Sequence, residues 1–220
     1  MKKTHNKQPW PTKDAMIQVY ENNLWGGEQH EFYSGLGSHD TEVVNTYINA
    51  VSAYLKELKT RPVVCDLGCG DFNVGKELVP FTKEYKAIDI VPDLITHNKK
   101  TFKTESVTFY TLNLAEDELP EGDCAIVRQV LQHLSNAEIQ AIVEKLYRFK
   151  YVILTEHLPE GDFAPNIDII SGQGIRLEKN SGVDLLAAPF HFKVQEEKEL
   201  LSIPSPGFKG RLVTTLYRVF

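Results

Sequence analysis

The stretch that most constrains this chain is Val63-Val64-Cys65-Asp66-Leu67-Gly68-Cys69-Gly70-Asp71-Phe72-Asn73-Val74-Gly75. A short apolar run ends in two glycines one residue apart, and a helix-compatible segment follows. This is how a buried strand turns sharply into a helix: without side chains at Gly68 and Gly70 the backbone bends, and a ligand can lie against it. The same rhythm then repeats. Asn73 to Phe81 reads as a helix and Tyr85 to Ile90 as a second strand. Pro92 opens a helix running to about Lys103. Val107 to Leu112 is a third strand, and Ala125 to Val127 the apolar centre of a fourth. Ser135-Asn136-Ala137-Glu138 forms a capping box ahead of Ile139, Ile142, Val143 and Leu146, and Tyr151 to Leu154 is a fifth strand. Successive βα units imply a mostly parallel sheet with helices on both faces. Such sheets bind ligands outside the carboxyl ends of their strands.

The flanking regions read differently. Residues 1–11 form a tail, and Thr12 is placed to cap a short helix carrying Met16, Ile17, Val19 and Tyr20. The glycine-rich stretch from Asn22 to Ser38 is irregular. Asp40 or Ser38 starts a long helix with Val44, Tyr47, Ile48, Val51, Tyr54, Leu55 and Leu58 on one face, ended by Arg61-Pro62. Residues 158–189 scatter glycines, prolines and charges without a helical period. Two strand-like segments, about 190–203 and 211–220, close the sequence as an antiparallel pair across Pro204-Ser205-Pro206-Gly207. Residues 1–39 are therefore read as a tail and cap, and residues 40–220 as the main domain with 158–189 inserted.

Composition narrows the classes. A 42% hydrophobic content supports a substantial core, and a formal net charge of −6 lacks the positive field that drives nucleic-acid binding. Three cysteines, an odd number, with no apolar stretch behind the basic start argue against a disulfide scaffold and for a reducing cytoplasm. No apolar run approaches the ~20 residues of a membrane span. Cys65 and Cys69 have no further ligands spaced nearby, so no metal site is read.

Asp66 sharpens the glycine motif. A buried acid two residues before the first glycine repels a pyrophosphate but suits a ligand carrying an ammonium and a sulfonium. The spacing of glycines 68, 70 and 75 also departs from the dinucleotide pattern, and there is no Tyr-x-x-x-Lys pair. Both points favour S-adenosylmethionine over a nicotinamide. Asp89 ends the second strand, 19 residues after Gly70, where an acid accepts hydrogen bonds from ribose hydroxyls.

Together these residues resemble the class I S-adenosylmethionine-dependent methyltransferases over about residues 40–157 and 190–220. Asp66-Leu67-Gly68-Cys69-Gly70 is similar to that family's first motif, and Ile88-Asp89-Ile90 to its second. Asn113-Leu114 stands where the family contacts adenine, with Asn in place of the usual acid. Arg128-Gln129-Val130-Leu131-Gln132-His133-Leu134 resembles the segment that lines the methionine end of the cofactor. The resemblance implies a Rossmann-like, doubly wound sheet of order 3-2-1-4-5-7-6 with the last strand antiparallel. It implies methyl transfer to an acceptor, with S-adenosylhomocysteine as product. The family commonly has a helix between its fifth and sixth strands, and residues 158–189 do not read as one.

Candidates for chemistry lie on the same rim. His133, Glu156 and His157 are expected to act as base or to orient the acceptor. Trp25, Gly26, Ser34 and Gly35 are expected to form a lid, and Arg176 and His191 to read a polar acceptor. The acid charge and compact length favour a small polar metabolite. A protein or RNA substrate, or a non-catalytic module of the same fold, remains as the alternative.

Overall fold

The computed structural model describes residues 10–28, 32–205, 207 and 209–220. The first nine residues of the expected tail, and Pro206 of the expected closing turn, lie outside the described residues.

The elements are α1 (Thr12–Glu21), α2 (Thr41–Glu57), β1 (Val63–Leu67), α3 (Gly75–Leu78), β2 (Glu84–Asp89), α4 (Pro92–Thr101), β3 (Val107–Thr111), β4 (Cys124–Arg128), α5 (Asn136–Leu146), β5 (Tyr151–Leu158), β6 (Glu196–Pro204) and β7 (Arg211–Arg218). They build one seven-stranded sheet of order β3-β2-β1-β4-β5-β7-β6. Strands β1 to β5 are parallel, and β7 runs antiparallel to both β5 and β6. This is the expected order. Chain order reverses between β1 and β4, which opens a crevice at their carboxyl ends.

Strand alternation divides the core. Val64, Cys124, Ile126 and Ile153 point to the α2 face, where they pack with Tyr47, Val51 and Leu55. Cys65, Leu67, Ala125, Val127, Val152 and Leu154 point the other way, onto Ile139, Ile142, Val143 and Leu146 of α5. Each central strand is buried on both faces, which explains its continuous apolar character.

The boundaries carry a few corrections. Pro11, not Thr12, occupies the N-cap of α1, and the Thr12 hydroxyl instead reaches Glu138 on α5. Asp40 caps α2 by accepting from the Val43 amide at 3.0 Å. That helix stops at Glu57, earlier than the Arg61-Pro62 signal, because Leu58 is already extended. Strand β5 runs four residues further than its apolar core suggests, since β7 pairs with it from Tyr151↔Arg218 to Leu158↔Arg211. The segment before β6 is not strand: Phe190 and Phe192 turn into the core, with the Phe192 ring 4.9 Å from Tyr147. Between residues 158 and 189 the regular structure is one short 3-10 turn, Arg176–Lys179. No helix among the described residues is long and apolar enough to cross a membrane.

Ile153 sits at the centre of β5 with no exposed surface. Ile153→Ala is expected to lower unfolding free energy by about 2–5 kcal/mol, through lost burial and a cavity the close-packed sheet cannot fill. Urea denaturation followed by far-UV circular dichroism measures it.

Candidate active site

Beyond Leu67 the chain folds back sharply. The amides of Gly68 and Cys69 both donate to the Ile88 carbonyl at 2.8 Å, so the bend is clamped over the end of β2. Gly68 has φ +91° and Gly70 φ +54°. A Cβ at Gly68 would sit 2.3 Å from Val130 Cγ2, and one at Gly70 would sit 2.4 Å from Ser34 Oγ. Glycine is therefore required both for the left-handed backbone and for the approach of two other segments.

Two carboxylates flank this bend. Asp66 is buried, and burial pushes it up to about 7 against the hydrogen bond that the Tyr85 hydroxyl donates at 2.9 Å and the nearby charge of Arg128. Asp89 accepts from the Gly70 amide and from the Val91 amide, each at 3.1 Å. Burial outweighs these bonds and lifts it to about 6. Each Asp89 oxygen keeps a lone pair for a further donor. Both acids face one cavity of about 640 Å³ at the β1/β4 switch point. Every residue expected to hold a cofactor lines that cavity: Asp66, Gly68, Cys69, Gly70, Asp89, Ile90, Asn113, Leu114, Arg128 and Gln129.

Arg128 does more than line the wall. Its guanidinium donates to the Ser38 hydroxyl at 3.1 Å and the Gly37 carbonyl at 2.5 Å, and lies 4.8 Å from the Tyr47 ring centroid. It thus ties the end of β4 to the segment before α2. That segment is anchored again at the glycine bend. The Ser34 amide donates to Asp71 and the Asp71 amide donates to the Ser34 hydroxyl, both at 2.8 Å, while His39 Nε2 lies 2.6 Å from the same carboxylate.

On the far side of the cavity His157 Nδ1 lies 2.8 Å from Gln132 Oε1, and His133 Nδ1 lies 3.3 Å from the Gly174 carbonyl. Burial drives both imidazoles down to about 4, so both are neutral at pH 7. Trp25 completes this wall with its ring centroid 5.0 Å from that of His133. Ser34 and Gly35 also line the cavity.

Four expectations for this side are corrected. Glu156 does not line the cavity. Alternation along β5 sends it to the face opposite His157, where its carboxylate accepts from the Leu131 and Gln132 amides at 3.0 Å each. It holds the turn that carries Gln132 and His133. Arg176 is 1% exposed and donates to the carbonyls of Leu131 and Leu134 and to Asn136 Oδ1 at 2.7–2.9 Å. It pins residues 158–189 to that turn instead of reading a ligand. His191 is exposed, at φ +47°, and lies outside the cavity because the backbone there turns Phe190 and Phe192 inward. Gly26 is exposed and outside it too, while its neighbours Leu24 and Trp25 line it.

Sequence reasoning missed several lining residues, among them Met16, Tyr20, Asp71, Gln132 and Glu138. Glu138 gathers hydroxyls from three segments: Ser135 at 2.7 Å, Thr12 and Ser171. Its capping-box position was visible; the partners from α1 and the insertion were not.

No protein-family model matches the chain. Over 96 residues it is 28% identical to acetylserotonin O-methyltransferase from Bos taurus, a match covering 42% of the chain and 28% of that protein. Among solved structures it is similar to human N-acetylserotonin methyltransferase in complex with SAM (19% identity, 95% of this chain, 60% of that one, TM-score 0.56). It is also similar to magnesium protoporphyrin IX methyltransferase from Synechocystis with bound SAM (17% identity, 97% and 100%, TM-score 0.58). A third likeness is to the N-methyltransferase NodS from Bradyrhizobium japonicum with S-adenosyl-L-homocysteine (11%, 93% and 99%, TM-score 0.64). This chain has the class I methyltransferase fold. In that fold the cavity described above occupies the switch point of the sheet.

The buried acids make the methyltransferase fold sensitive to pH. Asp66 and Glu156, raised to about 7 and 8, hold protons in the folded chain that the unfolded chain has already released. That stabilisation is lost as pH rises through these values. Above pH ~6.5 the two histidines are neutral in both states and offset nothing. The ligand-free protein is expected to lose thermal stability between pH ~6.5 and 8.5, and Glu156→Gln to flatten the decline. Scanning fluorimetry across this range reads both; a level wild-type profile would contradict the assignment.

Proposed function

We propose that this chain binds S-adenosylmethionine in the cavity and transfers its methyl group to a small-molecule acceptor, by O- or N-methylation. The observation that carries this is the pair of buried carboxylates, Asp66 and Asp89, on either side of the glycine bend and facing one cavity. Their chemistry fits the cofactor. Asp89 offers acceptor positions for the ribose hydroxyls, and Asp66 supplies negative charge toward the ammonium and sulfonium. Ile90 and Leu114 provide apolar contact for the adenine, with Asn113 at its polar edge. Arg128 and Gln129 stand at the methionine end.

The bound cofactor supplies a methyl group already activated by the sulfonium. The acceptor's lone pair takes the methyl carbon, the sulfur keeps the bonding pair as S-adenosylhomocysteine, and His133 or His157 takes the acceptor's proton. Both imidazoles are neutral at pH 7 and so can accept a proton, although burial lowers their basicity. The protein otherwise contributes alignment and exclusion of water. A cap built from α1 and residues 32–38 over the cavity favours a small acceptor over a protein or RNA strand. The likeness to enzymes named for acetylserotonin and magnesium protoporphyrin IX supports the same choice. Residues 158–189 are assigned to acceptor recognition. Three free cysteines suit a reducing cytoplasm.

Isothermal titration tests the cofactor. The wild-type chain is expected to bind S-adenosylmethionine, and Asp89→Ala to weaken binding by about 10–100-fold through loss of charge-assisted hydrogen bonds. Unchanged affinity in Asp89→Ala would remove its ribose role. Absence of binding by the wild type would overturn the proposal.

A further inference from the structure

The cavity extends beyond the two carboxylates toward a second wall, and that wall has a distinct character. Leu24 and Leu36 both line it, yet they are 44% and 46% exposed. Exposed leucines at the mouth of a cavity are unusual for a site that admits strongly hydrated ligands. Behind them stands the half-buried Trp25, held edge-on by Tyr20 at 5.5 Å and against His133 at 5.0 Å. Gln173 donates to the Leu24 carbonyl at 2.9 Å, so the insertion and the cap meet at the mouth.

The charges point one way. Among the described lining residues five are acidic (Asp66, Asp71, Asp89, Glu138 and Glu178) and one, Arg128, is a cation. Arg128 donates from its two terminal nitrogens to Ser38 and Gly37, and its buried Nε keeps no partner. Glu138 is saturated by hydroxyls, and Asp71 by Ser34 and His39. Glu178 differs: it is exposed on the Arg176–Lys179 turn, and a Cβ at Gly174, the residue beside His133, would lie 3.7 Å from its Oε1. A low-dielectric cleft with one sign of charge focuses that field on whatever enters.

We infer, resting on the methyltransferase reading above, that the acceptor is an aromatic molecule without anionic groups, a basic amine being preferred, whose ring lies against Trp25 and whose cation faces Glu178. A carboxylate or phosphate on the acceptor would meet five acids against the single cation Arg128, which lies on the cofactor side beside Asp66. A ring gains from the indole face, and an amine from both Glu178 and the aromatic wall.

Three probes sharing one phenol ring separate the contributions: tyramine (cationic), tyrosol (neutral) and 4-hydroxyphenylacetate (anionic). The chain has two tryptophans, and Trp10 is 58% exposed, so Trp10→Phe leaves Trp25 as the sole indole reporter in the full-length protein. With the protein saturated by S-adenosylhomocysteine, tyramine and tyrosol are expected to quench Trp25 fluorescence, with the acid at least about tenfold weaker. Glu178→Gln is expected to abolish the advantage of tyramine over tyrosol while leaving tyrosol unchanged. Equal affinity for the acid, or no quenching by any of the three with S-adenosylhomocysteine bound, would overturn the inference. Calorimetry on the same sample separates the two readings: failure of S-adenosylhomocysteine itself to bind would bring down the methyltransferase assignment first, and this inference with it.

Discussion

The Ile88 carbonyl, accepting from both Gly68 and Cys69, is the contact on which the rest of the site depends. It folds the end of β1 across the end of β2, which brings Asp66 and Asp89 to one cavity although 23 residues separate them (89 − 66). The Gly70 amide then donates to Asp89, and the buried Asn98 donates to the Gly70 carbonyl at 2.8 Å. The amides of Gly68, Cys69 and Gly70 and the carbonyl of Gly70 are thereby used to fix its shape. Larger residues at the glycines would push away Val130 and Ser34, which belong to the two walls on either side.

Keeping carboxylates in that position is unfavourable for the ligand-free chain. Asp66 and Asp89 are both raised by burial, and the bonds from Tyr85, Gly70 and Val91 compensate only in part. A cationic ligand supplies what is missing. The free protein therefore stores in these acids an electrostatic cost that a cofactor with a positive sulfonium relieves, and a neutral product relieves less. On that logic the proposed site would hold a sulfonium-bearing donor more tightly than its uncharged-sulfur product.

What was legible in the sequence was local or periodic. The glycine bend, Asp66 and Asp89 sit at fixed offsets from strand ends, and the alternating strand–helix rhythm fixes the sheet order through chain connectivity. The residues misread were those whose direction depends on tertiary context. Glu156 and His157 are adjacent, but strand alternation sends one beneath the Leu131–His133 turn and the other into the cavity. Arg176 looked like a ligand reader because it lies in the segment that departs from the family pattern; here its guanidinium satisfies three acceptors around the turn after β4. The Ser34–Asp71 pair spans 37 positions, and no pattern in either stretch announces the other.

These misread residues share a purpose. Residues 158–189 lack a helix to pack onto the sheet; Val183 and Leu185 are buried in the core, and polar contacts fix the rest of the segment. Arg176 reaches under the turn from one side and Glu156 from the other, one capping its carbonyls and one its amides. The nearby Arg176 guanidinium draws the Glu156 pKa down, but burial outweighs it. The Leu131–His133 turn is therefore held by one side chain that accepts from its amides and one that donates to its carbonyls, and it presents Gln132 and His133 to the cavity. Polar pairing of this kind is directional where apolar packing is not. An irregular insertion can thus hold His133 against the cavity without a helix of its own.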